Sequence, residues 1–424
     1  MLNKLKNRIR NVLSIGVLLA ATSLSFAADW PQWRGPNHDQ HSTETGILTK
    51  WPEKGPKELW RIKIGNSHGS FAVKGDKALL MMQRDGQDTC VALDASTGKE
   101  LWATPIDKNM NQRESWGGPS AHSTPAIDGD MVFCTGQYLK IKALNLADGK
   151  VVWEHDLVKE FGGSYSMEAQ GIESWGNAAS AVVDGNNVLV AGGGAGQSII
   201  AFDKKTGAVA WKNHDEKITQ ATPTPATIHG VRHVIFYMQS GLVAVAPDTG
   251  ELLWKHPHKY SVSTASSPVV AGDIVYASAA YQVGNVTVQI MRTETGLQPK
   301  ELYKDRKLMN HWMTPLAHDG HLYGLFGHAR QGRAPVMCVE LKSGKTLWSE
   351  DGFGHGGLIH IDGHLLIQGD AGQLVLAKAT PDKYTEVARA QILEGRCWNM
   401  PIVANGKVYT HSETEAVCLD ISGK

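Results

Sequence analysis

The chain has 424 residues, with 42 Lys+Arg against 42 Asp+Glu. This balance gives no electrostatic reason to expect nucleic acid or an anionic membrane surface as a partner. With 45 glycines and no long helical pattern beyond the N-terminus, the composition favours many strands joined by tight turns.

Residues 1–27 read as a signal peptide. Lys4, Lys6, Arg8 and Arg10 form a basic stretch, VLSIGVLLAATSLSF is too short for a comfortable span, and Ser25-Phe26-Ala27 fits a small-x-small cleavage site. The expectation is cleavage after Ala27, a periplasmic or secreted protein, and no membrane span in the mature chain. An uncleaved signal anchor is the alternative. No Cys stands at the cleavage point, which argues against a bacterial lipid anchor. Export makes disulfides worth checking, but the five cysteines (90, 134, 338, 397, 418) are odd in number and lack metal-clip spacing. Cys338 and Cys418 are expected to be small, buried and unpaired. Cys397, beside Trp398, is the one to watch.

Residues 28–56, with Trp30, Trp33 and Trp51, form an N-terminal strap. Beyond it a unit repeats. VALDASTGKELW (91–102) returns as IKALNLADGKVVW, IIAFDKKTGAVAW, LVAVAPDTGELLW and VMCVELKSGKTLW. The turn glycines Gly98, Gly149, Gly207, Gly250, Gly296, Gly344 and Gly423, with a degenerate copy turning at Pro381-Asp382, give eight turns. A second half-unit, such as HSTPAIDGDMVFCTG or SSPVVAGDIVYASA, also recurs eight times. Steps of about 40–60 residues suit four-stranded propeller blades. AVCLDISGK (416–424) lacks a following Trp strand, and KELWRIKIG (57–65) supplies one. The sequence therefore predicts an all-β, eight-bladed β-propeller over 57–424, closed by N- and C-terminal strands within one blade. Asp94 and its equivalents cap the turns, and the glycine takes the positive-φ place of a G1-bulge hairpin. Opposite the small residues Ala92, Ala143, Ala201 and Ala244, a Trp provides a flat anchor against the neighbouring blade. Trp60, Trp102, Trp153, Trp211, Trp254 and Trp348 are read as structural in this way.

The pattern A-x-D-x-x-T-G-x-x-x-W resembles the tryptophan-docking motif of the pyrroloquinoline quinone (PQQ)-like repeat propellers. That superfamily holds both quinoprotein alcohol dehydrogenases and the lipoprotein BamB. The segment ADWPQWRGPNHDQHSTETGILTKWPEKGPKELW is similar to the head of exported, BamB-like members. The resemblance covers nearly all of the mature chain and implies the fold far more sharply than the function.

Four Trp residues are surplus to the repeat: Trp116, Trp175, Trp312 and Trp398. Each precedes the innermost strand of a blade, so they should gather at one mouth of the central channel. Alignment of the inner strands adds a ring of His68, His122, Asn177, Thr222, Ala265 and His355. The candidate ligand-binding set is Trp116, His122, Glu173, Trp175, Asn177, Trp312, His355 and Trp398, against the plainer reading of a polar, water-filled channel. No metal is expected, because no carboxylates stand at matching positions in this ring and histidine is plentiful, at 18. AGGGAGQ (191–197) precedes a strand, so no helix N-terminus faces a phosphate. No catalytic constellation stands out.

Two functions follow. The first is an exported, non-catalytic binding or scaffolding propeller, monomeric, BamB-like and without cofactor, taking a protein, peptide or glycan through the channel mouth. The alternative implied by the resemblance is a PQQ-dependent dehydrogenase, with PQQ stacked on one of the surplus Trp residues and Ca2+ held by Glu173 and Asn177. The adjacent Cys-Cys pair of the quinoprotein alcohol dehydrogenases is absent here.

Overall fold

The computed structural model describes residues 28–110, 117–165, 175–261, 264–328 and 332–423; residues 1–27, the expected signal peptide, lie outside them. Eight antiparallel sheets of four blade strands each stand round a ring. Blades 1 to 7 occupy residues 72–108, 126–156, 182–213, 224–257, 269–305, 316–350 and 357–391. Blade 8 combines Ile402–Ala404, Lys407–His411 and Glu415–Asp420 with Lys57–Lys63 as its outermost strand, Trp60 standing opposite Cys418. The predicted closure is therefore present. It leaves no blade missing its outer strand, which would expose a sheet edge.

Burial explains the strand patterns. The second and third strands of each blade are covered on both faces by neighbouring blades, so they read as unbroken apolar runs such as ALLMM (78–82). The outermost strands meet solvent and alternate, as LLWKHP (252–257) does.

The repeated hairpin works as its sequence implies. Asp94 Oδ1 accepts the backbone N–H groups of Ser96 and Thr97 and both of their hydroxyls, at 2.6–3.0 Å. Those donors hold its carboxyl down at about 2. In all eight blades the outer strand skips one residue just before the docking position, a β-bulge that turns the large side chain toward the next blade. There the indole lies on the next blade's turn glycine. A Cβ on Gly207 would stand 2.7 Å from the Trp153 ring, and the glycine's φ is 75°. Trp60, Trp102, Trp153, Trp211 and Trp348 each donate Nε1–H to a carbonyl of the following blade, those of Ala95, Leu146, Lys204, Pro247 and Thr380, at 2.8–3.1 Å.

Three seams depart from the pattern. Trp254 is buried, but its Nε1 has no hydrogen-bond partner, because blade 5 replaces the short capped turn with a longer hairpin between Gly284–Thr293 and Gly296–Asp305. In blade 5 Tyr303 takes the docking place, opposite Thr287, and rests on Gly344. Blade 7 exchanges sizes, with Leu376 opposite Ala388, so the large side chain comes from the inner partner. All five cysteines are buried and unpaired, and Cys338 and Cys418 face Trp348 and Trp60 as expected. Burial pushes the Cys397 thiol up to about 12, which disfavours the thiolate.

The strap crosses one end of the ring. Trp30 bridges to Val73 in blade 1, and the Pro31 carbonyl accepts from Ile127 in blade 2. The fully buried Arg34 donates to Gln40, Thr224 and the Pro268 carbonyl. Gln40 donates to the carbonyls of Thr314 and Leu358. His41–Ser42 pairs in parallel with the inner strand of blade 7, and Glu44 accepts the N–H of Gly406 in blade 8.

Candidate functional site

The innermost strands start at the channel, and the residues just before them set its wall. Hydroxyls at that level join blade to blade. Ser70 N–H donates to Thr124, Thr124 N–H to Ser180, Ser180 N–H to Thr222 and Ser267 N–H to Thr314, at 2.9–3.0 Å. This girdle fixes the channel's width and frames a cavity of about 340 Å³. Its floor is the strap, through Trp33 and Gln40, with Trp33 Nε1 donating to Ser267 at 3.0 Å. The channel is thus a cup open at the mouth where the surplus Trp residues were expected.

Of the candidate set, His122, Trp175, Trp312 and Trp398 line the cup, as do His68, Thr222 and Ala265 of the wider ring. Asn177 and His355 do not; the wall positions are Ala178 and Gly356, one residue on. Asn177 instead binds backbone, donating to the Ala179 carbonyl and accepting its N–H. His355 sits behind the wall, where its carbonyl accepts from Trp312 Nε1 at 2.9 Å and its ring lies 3.8 Å from Asp370. Trp116 and Glu173 lie outside the described residues.

The rings form a continuous arc. His122 stacks on His68 with centroids 5.1 Å apart, His68 meets Trp398 at 5.5 Å, and Trp398 meets Trp312 at 4.6 Å. His311 follows at 4.2 Å and then Tyr281 at 5.3 Å. Two lining aromatics are held in left-handed backbone, Trp175 at φ 72° and Tyr281 at φ 57°. Such strain costs about 1–3 kcal/mol and collects at working sites. Tyr281, His311 and Gln220 were not singled out from sequence. His311 directly precedes Trp312, and that adjacency was the available signal.

Burial keeps the cup histidines neutral: it lowers His68 well below the ordinary range, His122 to about 4 and His311 to about 3. None of the described lining residues is Asp, Glu, Lys or Arg. Both ring nitrogens of His311 and Nε2 of His68 are buried without hydrogen-bond partners. The described wall therefore offers flat platforms and no formal charge.

A family model described as outer membrane protein assembly factor BamB matches residues 45–156 and 109–350, together well over half of the chain. The chain belongs to that family. It is 22% identical over 386 residues to the outer membrane protein assembly factor BamB of Yersinia pestis, spanning 85% of this chain and 88% of the relative. The crystal structure of BamB from Moraxella catarrhalis superposes with a TM-score of 0.60 at 15% identity, covering 86% of this chain and 99% of that one. The quinohemoprotein alcohol dehydrogenase of Comamonas testosteroni gives a TM-score of 0.64 at 13% identity, covering 93% and 81%. At these identities the likeness to solved structures shows the fold. Among the described residues no helix is long and apolar enough to cross a membrane.

Proposed function

We propose that this protein is an exported, non-catalytic scaffolding propeller that binds a protein partner by receiving an uncharged, ring-bearing group in the cup. The carrying observation is the aromatic arc from His122 to Tyr281 around a cavity floored by the strap, whose described lining is uncharged. About 340 Å³ lies at the small end of ligand pockets, suited to one aromatic side chain or one sugar ring. Membership in the BamB family supports a protein as the bearer of that group, and the apolar segment before residue 28 supports a periplasmic setting. The described lining holds no carboxylate for a calcium ion and no cation for PQQ's carboxylates, and Glu173, the expected calcium ligand, lies outside the described residues.

Tryptophan fluorescence tests the reading. Titration with short peptides rich in Tyr and Phe should quench the emission saturably. Trp398→Ala and His311→Ala should each weaken binding by about tenfold or more, the loss of 1.4 kcal/mol or more expected of a central contact. Saturation by neutral oligosaccharides alone would move the assignment to glycans. Tight binding of PQQ that depends on calcium would overturn it.

A further inference from the structure

A second cluster lies at the strap side of the ring, away from the cup mouth. His41 belongs to the strap strand, His318 closes the inner strand of blade 6 (Leu316–His318), and His360 lies on the inner strand of blade 7 (Gly357–Ile361). His41 and His360 are register partners in the parallel pairing of strap and blade. One ring nitrogen from each of the three imidazoles lies within 4.8 Å of the others. His318 and His360 stack with centroids 4.0 Å apart, and His41 Nε2 stands 3.4 Å from His318 Nδ1. We propose that His41, His318 and His360 form a divalent transition-metal site, best matched to Zn2+, that pins the strap to blades 6 and 7.

Three features carry this. The first is distance. Two nitrogens on a tetrahedral zinc ion, each about 2.05 Å from it, stand about 3.4 Å apart. The His41–His318 pair already has that spacing, and rotation of the His360 ring draws in the third nitrogen. The second is the orphaned imidazole. His360 is 9% exposed, yet neither ring nitrogen has a hydrogen-bond partner. A buried polar group left unsatisfied in this way costs about 1–3 kcal/mol, and a metal ion would satisfy it. The third is orientation from outside. His41 Nδ1 lies 2.9 Å from the Asp39 carbonyl, which fixes the proton there and turns the Nε2 lone pair into the cluster. His318 Nε2 lies 3.5 Å from the Asp319 carboxylate. When Nδ1 takes a metal, the proton of His318 passes to Nε2 and is held there. This is the carbonyl or carboxylate backing usual behind metal-bound histidine.

All-imidazole donors select zinc, copper, nickel or cobalt over calcium and magnesium. Three ligands leave a fourth position for water or another donor. Gln40, which lies in the cup floor, is the residue before His41. A metal here would therefore hold the floor in place.

The test uses the mature chain, stripped with chelator and titrated with Zn2+ by calorimetry and with Co2+ by visible absorption. The expected result is one saturable equivalent per chain, tetrahedral Co2+ bands, and a Tm raised by Zn2+. His41→Gln and His318→Gln should each lower affinity by more than about 100-fold, beyond the usual effect of losing an outer-shell partner. The control His155→Gln, far from the cluster, should leave binding unchanged. Because His360 sits on a buried strand, the two more exposed positions carry the test. Absence of saturable binding by the unaltered chain would overturn the proposal. So would undiminished binding by the His41→Gln/His318→Gln double variant.

Discussion

Trp102 and Trp254 occupy equivalent places in blades 1 and 4, but only one of them has a partner for its N–H. Replacing each by Phe keeps a flat ring in the seam and removes the indole nitrogen. The smaller ring gives up roughly 40 Å² of apolar contact, about 1 kcal/mol at about 25 cal/mol per Å². For Trp102 the change also removes the 3.1 Å bond to the Leu146 carbonyl, a further 0.5–1.5 kcal/mol or so. Trp102→Phe should therefore cost about 2 kcal/mol. Trp254→Phe removes a buried, unpaired donor, which returns about 1–3 kcal/mol of desolvation penalty against the same packing loss. Its net cost should lie near zero, and the variant should match or exceed the parent in stability. Urea unfolding followed by far-UV circular dichroism measures both, with the midpoints compared at constant slope. The reasoning fails if Trp254→Phe loses as much as Trp102→Phe.

Two further outcomes are expected. Gly207→Ala should destabilise more than Gly230→Ala: φ is 75° and 76° in the two, but only the first would press a Cβ into an indole, so a difference of about 1 kcal/mol or more in the same denaturation assay is the check. Stability should also fall on acidification below the ordinary histidine pKa of about 6.5, because His122 at about 4 and His311 at about 3 resist protonation in the fold while the unfolded chain binds those protons. The loss per histidine approaches 1.4 kcal/mol per pH unit between about pH 6 and 4, and His122→Asn should flatten the slope of stability against pH if burial of the neutral ring is its cause.

Much of this architecture was readable because the chain repeats itself. The turn Asp, the positive-φ Gly, the small residue and the Trp recur at fixed offsets, so the blade count and the closing strand could be derived by alignment. Where a blade used different chemistry for the same geometry, the signal was lost. Tyr303 does the work of a Trp without being one, and Leu376 with Ala388 exchanges large for small across a strand pair. The channel ring was legible where a Pro marks the inner strand, as at His122, Trp312 and Trp398. In blades 3 and 7, without that Pro, the reading stopped one residue short at Asn177 and His355. The strap has no periodicity of its own, and nothing local indicates that Trp33 and Gln40 floor the cup. His41, His318 and His360 come from three distant stretches, two of them beside hairpin turns, and only the ring brings them together.

The closing strand and the strap set an order of events for a chain that folds as it emerges, N-terminus first. Among the described residues Lys57–Lys63 pairs with Glu415–Asp420 alone, and the Arg61–Glu415 ion pair at 2.8 Å spans most of the sequence. Arg34 and Gln40 likewise meet partners in blades 4 to 7. Early segments must therefore wait, unpaired, while seven blades form beside them. During that interval Lys57–Lys63 and the innermost residues of the strap present open backbone to any neighbouring chain. The risk of aggregation is then set by this waiting stage rather than by the finished surface.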